Sequence, residues 1–212
     1  MLNFYQEIKL LPEEEIPIHF LWSKVYQQIH LGLVAMQDDQ GRVPIGVAFP
    51  EYVQGGRSRL PADVDALASR STEKFGVLGG KLRLFAEHEA TLSQFNASHW
   101  LARLSDYVHC TSIRPVPEKP VGYATYQREQ PKASKERLAR RYAKRHKLSY
   151  DAALTCYQPL TQKPLTTPFI RLESLSGGQR FCLWIKKTAV EKPSKGDFGS
   201  YGLSAVATVP DF

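Results

Sequence analysis

Up to its first proline-rich break the chain alternates strand-like and helix-like segments in one order, and that order limits the folds open to it. Residues 3–11 (NFYQEIKLL) have strand composition, and Pro12 and Pro17 bracket a loop. Residues 19–36 carry Phe20, Trp22, Val25, Ile29 and Leu33 at near-helical spacing, which predicts a helix packed through that face. DDQGR (38–42) is a turn, and IGVAF (45–49) is a short apolar strand stopped by Pro50. Residues 52–80 form a Gly-, Arg- and Ser-rich irregular excursion; 81–86 is a strand, 89–107 contains helical material, and 108–116 is strand-like. The sum, β-α-β-β-α-β, predicts an α+β chain whose first part is ferredoxin-like, as in RNA-recognition folds. That fold hosts many functions, so the order alone assigns none.

PVPEKPVG (115–122), with three prolines and a glycine, reads as a boundary, giving domains 1–117 and 118–212. Beyond it lie a basic segment, a variable stretch (149–166), strands at 169–174 and 179–187 around a turn at 176–178, a flexible loop and the terminus YGLSAVATVPDF. No apolar run approaches the roughly 20 residues of a membrane span, and MLNFYQEIKLL lacks the pattern of a secretory signal. Cys110, Cys156 and Cys182 are widely spaced and odd in number, so reduced thiols and a cytoplasmic setting are expected, with no metal and no cofactor. No obligate homo-oligomer is expected.

Charge is concentrated. The net charge is +7, and between Arg128 and Lys147 nine Lys/Arg face only Glu129 and Glu136, an excess equal to that of the whole chain. On a helical wheel with Arg137 at zero, Arg140, Arg141, Lys144 and Arg145 fall between about −60° and +80°. Leu138, Ala139, Tyr142, Ala143 and His146 take the opposite arc, and Ser134 is placed to cap the start. Solvated charge runs usually mix signs, because like charges at i,i+4 destabilise a helix. A helix that accepts this repulsion points to phosphates that neutralise it. DNA and RNA stay open on this feature alone.

With these segments in hand, the chain resembles the CRISPR-associated endoribonuclease of type I-F systems, the Cas six f or Csy four family. The resemblance rests on QQIHLGLVA, IGVAFPEY with GRSRL, KERLARRYAKRHKLS, TPFIRLESLSGGQRF and SYGLS, in order along nearly the whole chain. It implies an active-site histidine at His30, a serine holding the attacking ribose hydroxyl at Ser174 with Ser176 as its structural neighbour, and a tyrosine near the scissile site at Tyr201. It further implies that Arg128 and Gln130 read purines at the base of an RNA stem. Arg137, Arg140, Arg141, Lys144 and Arg145 would line the hairpin's major groove, and Phe181 would stack on the stem end. The implied partners are a CRISPR repeat hairpin, the mature CRISPR RNA and other subunits of a surveillance complex, with no membrane. The chain departs from the family at Ala139 and Lys144, where an arginine-denser helix is usual, and in a longer 52–80 stretch.

The implied chemistry suits these residue types. An RNA 2′-hydroxyl can attack its own phosphate, leaving a 2′,3′-cyclic phosphate and a 5′-hydroxyl, given alignment and a proton carrier such as histidine. No clustered carboxylates or HExxH motif suggest a metal nuclease. Each residue also has a plainer reading: core packing for His30, Tyr201 and Phe181, turn chemistry for Ser174 and Ser176, and an exposed strand face for Arg128 and Gln130. Two other functions share most features. One is a hairpin-binding subunit that no longer cuts; the other is a DNA-binding regulator, although no preceding helix stands at helix-turn-helix spacing.

Overall fold

The computed structural model describes residues 1–55, 75–130, 135–158, 165–174 and 177–212. The GRSRL segment, most of the 52–80 excursion, Ser134 and Ser176 lie outside the described residues.

The chain is α+β. β1 (Phe4–Leu10) leads into α1 (Ile18–Ala35), followed by β2 (Gly46–Ala48), β3 (Lys81–Ala86), the short helices α2 (Glu89–Phe95) and α3 (Ala97–Trp100), then β4 (Val108–Cys110) and β5 (Arg114–Pro115). These strands form one antiparallel sheet in the order β2-β3-β1-β4, with β5 also on β1. A second antiparallel sheet runs β7 (Phe169–Glu173), β8 (Arg180–Val190), β6 (Gly122–Glu129), β9 (Val209–Asp211).

Local chemistry accounts for most of these bounds. Pro17 precedes α1, where its fixed φ of −67° suits a helix start and its missing N–H costs nothing. The helical material of 89–107 divides at Asn96, whose left-handed φ of 49° ends α2 while its side chain accepts from His99 N and caps α3. The α1 face expected from spacing is buried at Trp22, Val25, Ile29 and Leu33, but Phe20 is 48% exposed. Its neighbour Lys24 lies over that ring at 5.3 Å instead.

Compactness does not divide the chain at 117/118. One unit comprises Met1–Glu129 with Thr166–Phe212, the other Gln130–Leu165. The reason is that both sheets share a core: Ile8, Leu82 and Leu84 of the first join Ala124, Tyr126, Ile170, Leu183 and Ile185 of the second in one buried cluster. The Tyr126 hydroxyl donates to the Phe49 carbonyl at 3.0 Å, and the Phe49 ring meets those of Trp22, Tyr26 and Tyr126. The proline-rich segment is a surface crossing between two sheets of one unit.

The smaller unit holds α4 (Lys135–His146) and α5 (Tyr150–Tyr157). Lys147, at a left-handed φ of 53°, closes α4, and the Ser149 hydroxyl accepts from Ala152 N to cap α5. The two helices pack antiparallel. Ala139 and Ala153 are both buried, Tyr142 meets Tyr157 edge-on at 5.8 Å, and Lys135 Nζ donates to the Gln158 carbonyl at 2.8 Å. Part of the variable stretch is thus a helix. Among the described residues no helix is long and apolar enough to cross a membrane, and the three cysteines are free thiols.

Candidate functional site

Strand periodicity carries three of the implied residues on from the core-facing rows of the second sheet. Alternate residues of a strand share a face. Ala124 and Tyr126 are buried in the core, so Arg128, next on that face, continues it just where β6 ends. Ile185 and Leu183 likewise lead to Phe181, and Ile170 and Leu172 to Ser174. The register sets Arg128 opposite Ile185 and Leu172 opposite Phe181, so β6 ends first while β7 and β8 carry the core on to Leu172 and Leu183. Arg128 is exposed, as an outward strand position would be, although it follows the row of Ala124 and Tyr126.

Helix α1 supplies the rest. His30 stacks on Tyr201, with ring centroids 4.2 Å apart and planes within 12°. The Arg128 guanidinium lies 5.7 Å from the Tyr201 ring and 5.6 Å from the Phe181 ring. His30, Tyr201, Arg128 and Phe181 thus form one continuous group drawn from α1, β6, β8 and the 199–202 turn. That turn is held tightly. Gly202 N donates to Gly199 O at 2.7 Å and Val47 N to Gly202 O at 2.9 Å, while the Tyr26 hydroxyl donates to Tyr201 O at 2.8 Å. Gly202 has a φ of 66°, and a Cβ there would run into Val47, so only glycine fits.

The environment fixes the state of His30. Its Nδ1 lies 2.9 Å from the Ser200 carbonyl oxygen. A carbonyl only accepts, so Nδ1 carries the hydrogen and donates it; in the neutral ring Nε2 then holds the free lone pair. Burial pushes the imidazole below its ordinary pKa of 6.5, an effect opposed by the Ser200 bond, which favours the cation. At neutral pH the group is therefore a neutral proton acceptor with a fixed orientation. Beside it stand a phenol and a cation.

Ser174 follows Glu173, whose backbone N–H donates to Gln27 Oε1 at 3.3 Å. Gln27 is three residues before His30, so the helix that carries the histidine also holds the end of β7. Ser174 N donates to Gln179 O at 2.9 Å and Gly178 N to Ser174 O at 2.7 Å, which closes the hairpin behind it. Ser176 lies outside the described residues. Gln130 is exposed just beyond β6, at the start of the smaller unit. In that unit Arg137, Arg140, Arg141, Lys144 and Arg145 are all exposed, while Leu138, Ala139, Tyr142 and Ala143 are not; His146, expected on the packed arc, is exposed because it is the last residue of α4, with its ring 4.2 Å from that of Tyr142. Sequence reasoning missed Tyr26, Gln27 and Gly202; Tyr26 stands one helical turn from His30, a spacing that could have flagged it. Among the described residues no group of three or more His, Cys, Asp or Glu could hold a metal ion.

Comparison with known proteins follows the same lines. Residues 5–212 match the family model described as CRISPR-associated protein (Cas_Csy4). The chain is 32% identical to the CRISPR-associated endonuclease Cas6/Csy4 of Escherichia coli (strain UTI89 / UPEC), over 212 residues and 100% of both chains. It is 33% identical to the CRISPR-associated endonuclease Cas6/Csy4 of Pseudomonas aeruginosa (strain UCBPP-PA14), again over 100% of both. A solved structure described as "An RAMP protein binding different RNA substrates" aligns with a TM-score of 0.34 at 12% identity, over 99% of this chain and 100% of that one.

Proposed function

Because the chain belongs to the CRISPR-associated Cas_Csy4 family, we propose that it is a metal-independent endoribonuclease that binds a CRISPR repeat hairpin and cuts precursor CRISPR RNA at the 3′ base of the stem. The observation that carries the reading is the stacked group of His30, Tyr201, Arg128 and Phe181, with Nδ1 of His30 committed to Ser200. Ser174 holds the 2′-hydroxyl of the nucleotide before the cut. His30 Nε2 takes that proton as the 2′-oxygen bonds to phosphorus, and the bond from phosphorus to the 5′-oxygen breaks. The departing 5′-oxygen takes a proton from solvent water, and His30 later returns its own to solvent, leaving a 5′-hydroxyl on one fragment and a 2′,3′-cyclic phosphate on the other. The Arg128 cation offsets the added charge on the phosphorane and, with Gln130, reads the base of the stem. Phe181 and Tyr201 offer ring faces to the stem end.

In this reading Ser176 supports Ser174, and Arg137, Arg140, Arg141, Lys144 and Arg145 of α4 neutralise stem phosphates. The ferredoxin-like first part of the chain then carries the histidine, and the part after the proline-rich crossing supplies the hairpin contacts. The stem contacts are unchanged by a cut at their edge, so the product stays bound, and the chain serves as the guide-RNA cap of a type I-F surveillance complex in the cytoplasm.

The test is cleavage of a labelled repeat hairpin in excess EDTA, beside the same RNA with a 2′-deoxy nucleotide before the cut. Cleavage of the first alone is expected. Tight binding with both RNAs intact would leave a binding subunit in place of an enzyme, and equal competition by duplex DNA would remove the RNA assignment.

A further inference from the structure

A cavity of about 360 Å³ opens where α1 begins, lined among others by His19, Trp22, Val77, Phe169 and Arg171. The proposed reaction uses none of these residues. Their chemistry is that of a nucleobase site: an aromatic ring, a guanidinium lying 5.9 Å from that ring, an imidazole and apolar walls. Phe169 is itself fixed from behind by Trp184 at 4.5 Å and by Phe75 at 5.9 Å. Trp22 donates its indole N–H to the Gly79 carbonyl at 2.9 Å, so the wall is rigid before anything binds.

The cavity is connected to His30 by one helix stripe. His19, Ser23, Gln27 and His30 fall within about 80° of arc on α1, at spacings of four, four and three. This polar stripe runs beside β7. Gln27 takes the Glu173 N–H near its far end, and Pro168, Phe169 and Arg171 face the start of the helix at the other. From His19 to His30 the helix rises roughly 16 Å, a distance that a few nucleotides span.

Resting on the endoribonuclease reading above, we infer that the seam between α1 and β7 guides the single strand downstream of the cut, and that the cavity at its end takes one of that strand's bases. Direction follows from the sheet. Arg128 and Phe181 sit on the inner strands β6 and β8; of the two edge strands, β7 is the one beside α1, so a strand that passes from them toward the His30 helix leaves over β7. The nearby acids set a limit. Glu51 is taken up by Gly80 N–H and Lys81, but Glu13, Glu14 and Glu15 are exposed just ahead of α1 and repel a phosphate chain continuing past the cavity. The base in the cavity is therefore the last one held.

The test measures single-turnover cleavage of repeat hairpins carrying 3′ flanks of one to eight nucleotides, using the unaltered protein and Arg171→Ala, His19→Ala and the double variant. Half-saturating protein concentration should improve by about fivefold or more as the flank lengthens, then level off. The variants should lose that gain and cut the one-nucleotide flank as the unaltered protein does. An abasic nucleotide at the levelling position should mimic them. If flank length has no effect, if only a 5′ flank matters, or if the gain survives in the double variant, the inference is overturned. Failure of the unaltered protein to cut any hairpin would instead strike the endoribonuclease reading.

Discussion

Replacing Tyr26 by phenylalanine removes one hydroxyl from a fully buried side chain and tests how the site is held. The Tyr26 hydroxyl donates to the Tyr201 carbonyl at 2.8 Å, and its ring, 5.9 Å from that of Phe49, stays packed in the variant. No cavity larger than the lost oxygen forms, so the cost is that of a buried carbonyl deprived of its donor, about 1–3 kcal/mol. For a chain of this size each kcal/mol lowers the melting temperature by about 2–4 °C. The 199–202 turn keeps its bonds to Val47 and within itself, so it remains folded but loses the anchor nearest Tyr201. Tyr201 then shifts against His30, and misplacement of about 1 Å at a reacting centre can cost on the order of a hundredfold in rate. Tyr26→Phe should therefore bind the hairpin in EDTA as the unaltered protein does, and cut it at least about tenfold more slowly at saturation. The measurements are urea unfolding, equilibrium RNA binding and single-turnover cleavage. A stability loss of the stated size with an unchanged cleavage rate would refute the argument, because the hydroxyl would then serve the fold alone.

Because burial lowers the His30 pKa, kcat/KM of the free protein should rise with pH to a plateau whose midpoint lies below 6.5, the mark of an acceptor that must be neutral; a fall across the same range would make His30 an acid. The same shift means the unfolded chain binds a proton that the folded one excludes, so His30 costs stability as pH falls through 6.5 toward its lower folded value, and urea unfolding of His30→Ala should lose that slope. Changing Arg137, Arg141 and Arg145 together to alanine should weaken hairpin binding and reduce its salt slope by about one for each phosphate no longer neutralised, leaving the rate at saturation unaltered; an unchanged slope would remove α4 from the interface. Gly32→Ala pits helix propensity, favourable by about 1 kcal/mol, against a Cβ only 2.7 Å from the Phe95 ring and 2.8 Å from Trp100. Overpacking of this kind costs typically about 1–3 kcal/mol, so the variant should be destabilised; a rise in melting temperature would show that the rings yield freely.

Much of the fold could be read locally, and the limits are physical. The β1, α1 and β3 segments fall where composition and spacing place them, because each pattern is long enough to show its period. The helix α5 was hidden because its pattern is two turns long and mostly polar; the Ser149 cap was its sign. The division at 117/118 failed for another reason. The Tyr126–Phe49 hydrogen bond joins residues 77 apart, and no local pattern reports it. At the site, family resemblance named His30, Ser174, Arg128, Phe181 and Tyr201, but how they meet depends on the end of a sheet, where one face changes from core to solvent within two residues.

Helix α1 explains why such a site can be accurate although its parts are distant in sequence. Tyr26, Gln27 and His30 lie within five consecutive helical residues, and each binds backbone that is 146 to 175 residues away. The first and last hold the 199–202 turn from two successive carbonyls; the middle one holds the end of β7 before Ser174. A loop bound at one point can pivot, whereas one bound at two adjacent carbonyls cannot turn without breaking a bond. The helix is fixed in turn by its buried face and by Gly32 against Phe95 and Trp100. The separation between His30 and Ser174 is then set by the rise of one helix and the pitch of one strand, the stiffest spacings a polypeptide offers. Chemistry that relies on aligning a substrate's own hydroxyl has most to gain from that stiffness, since alignment is the greater part of what the protein contributes.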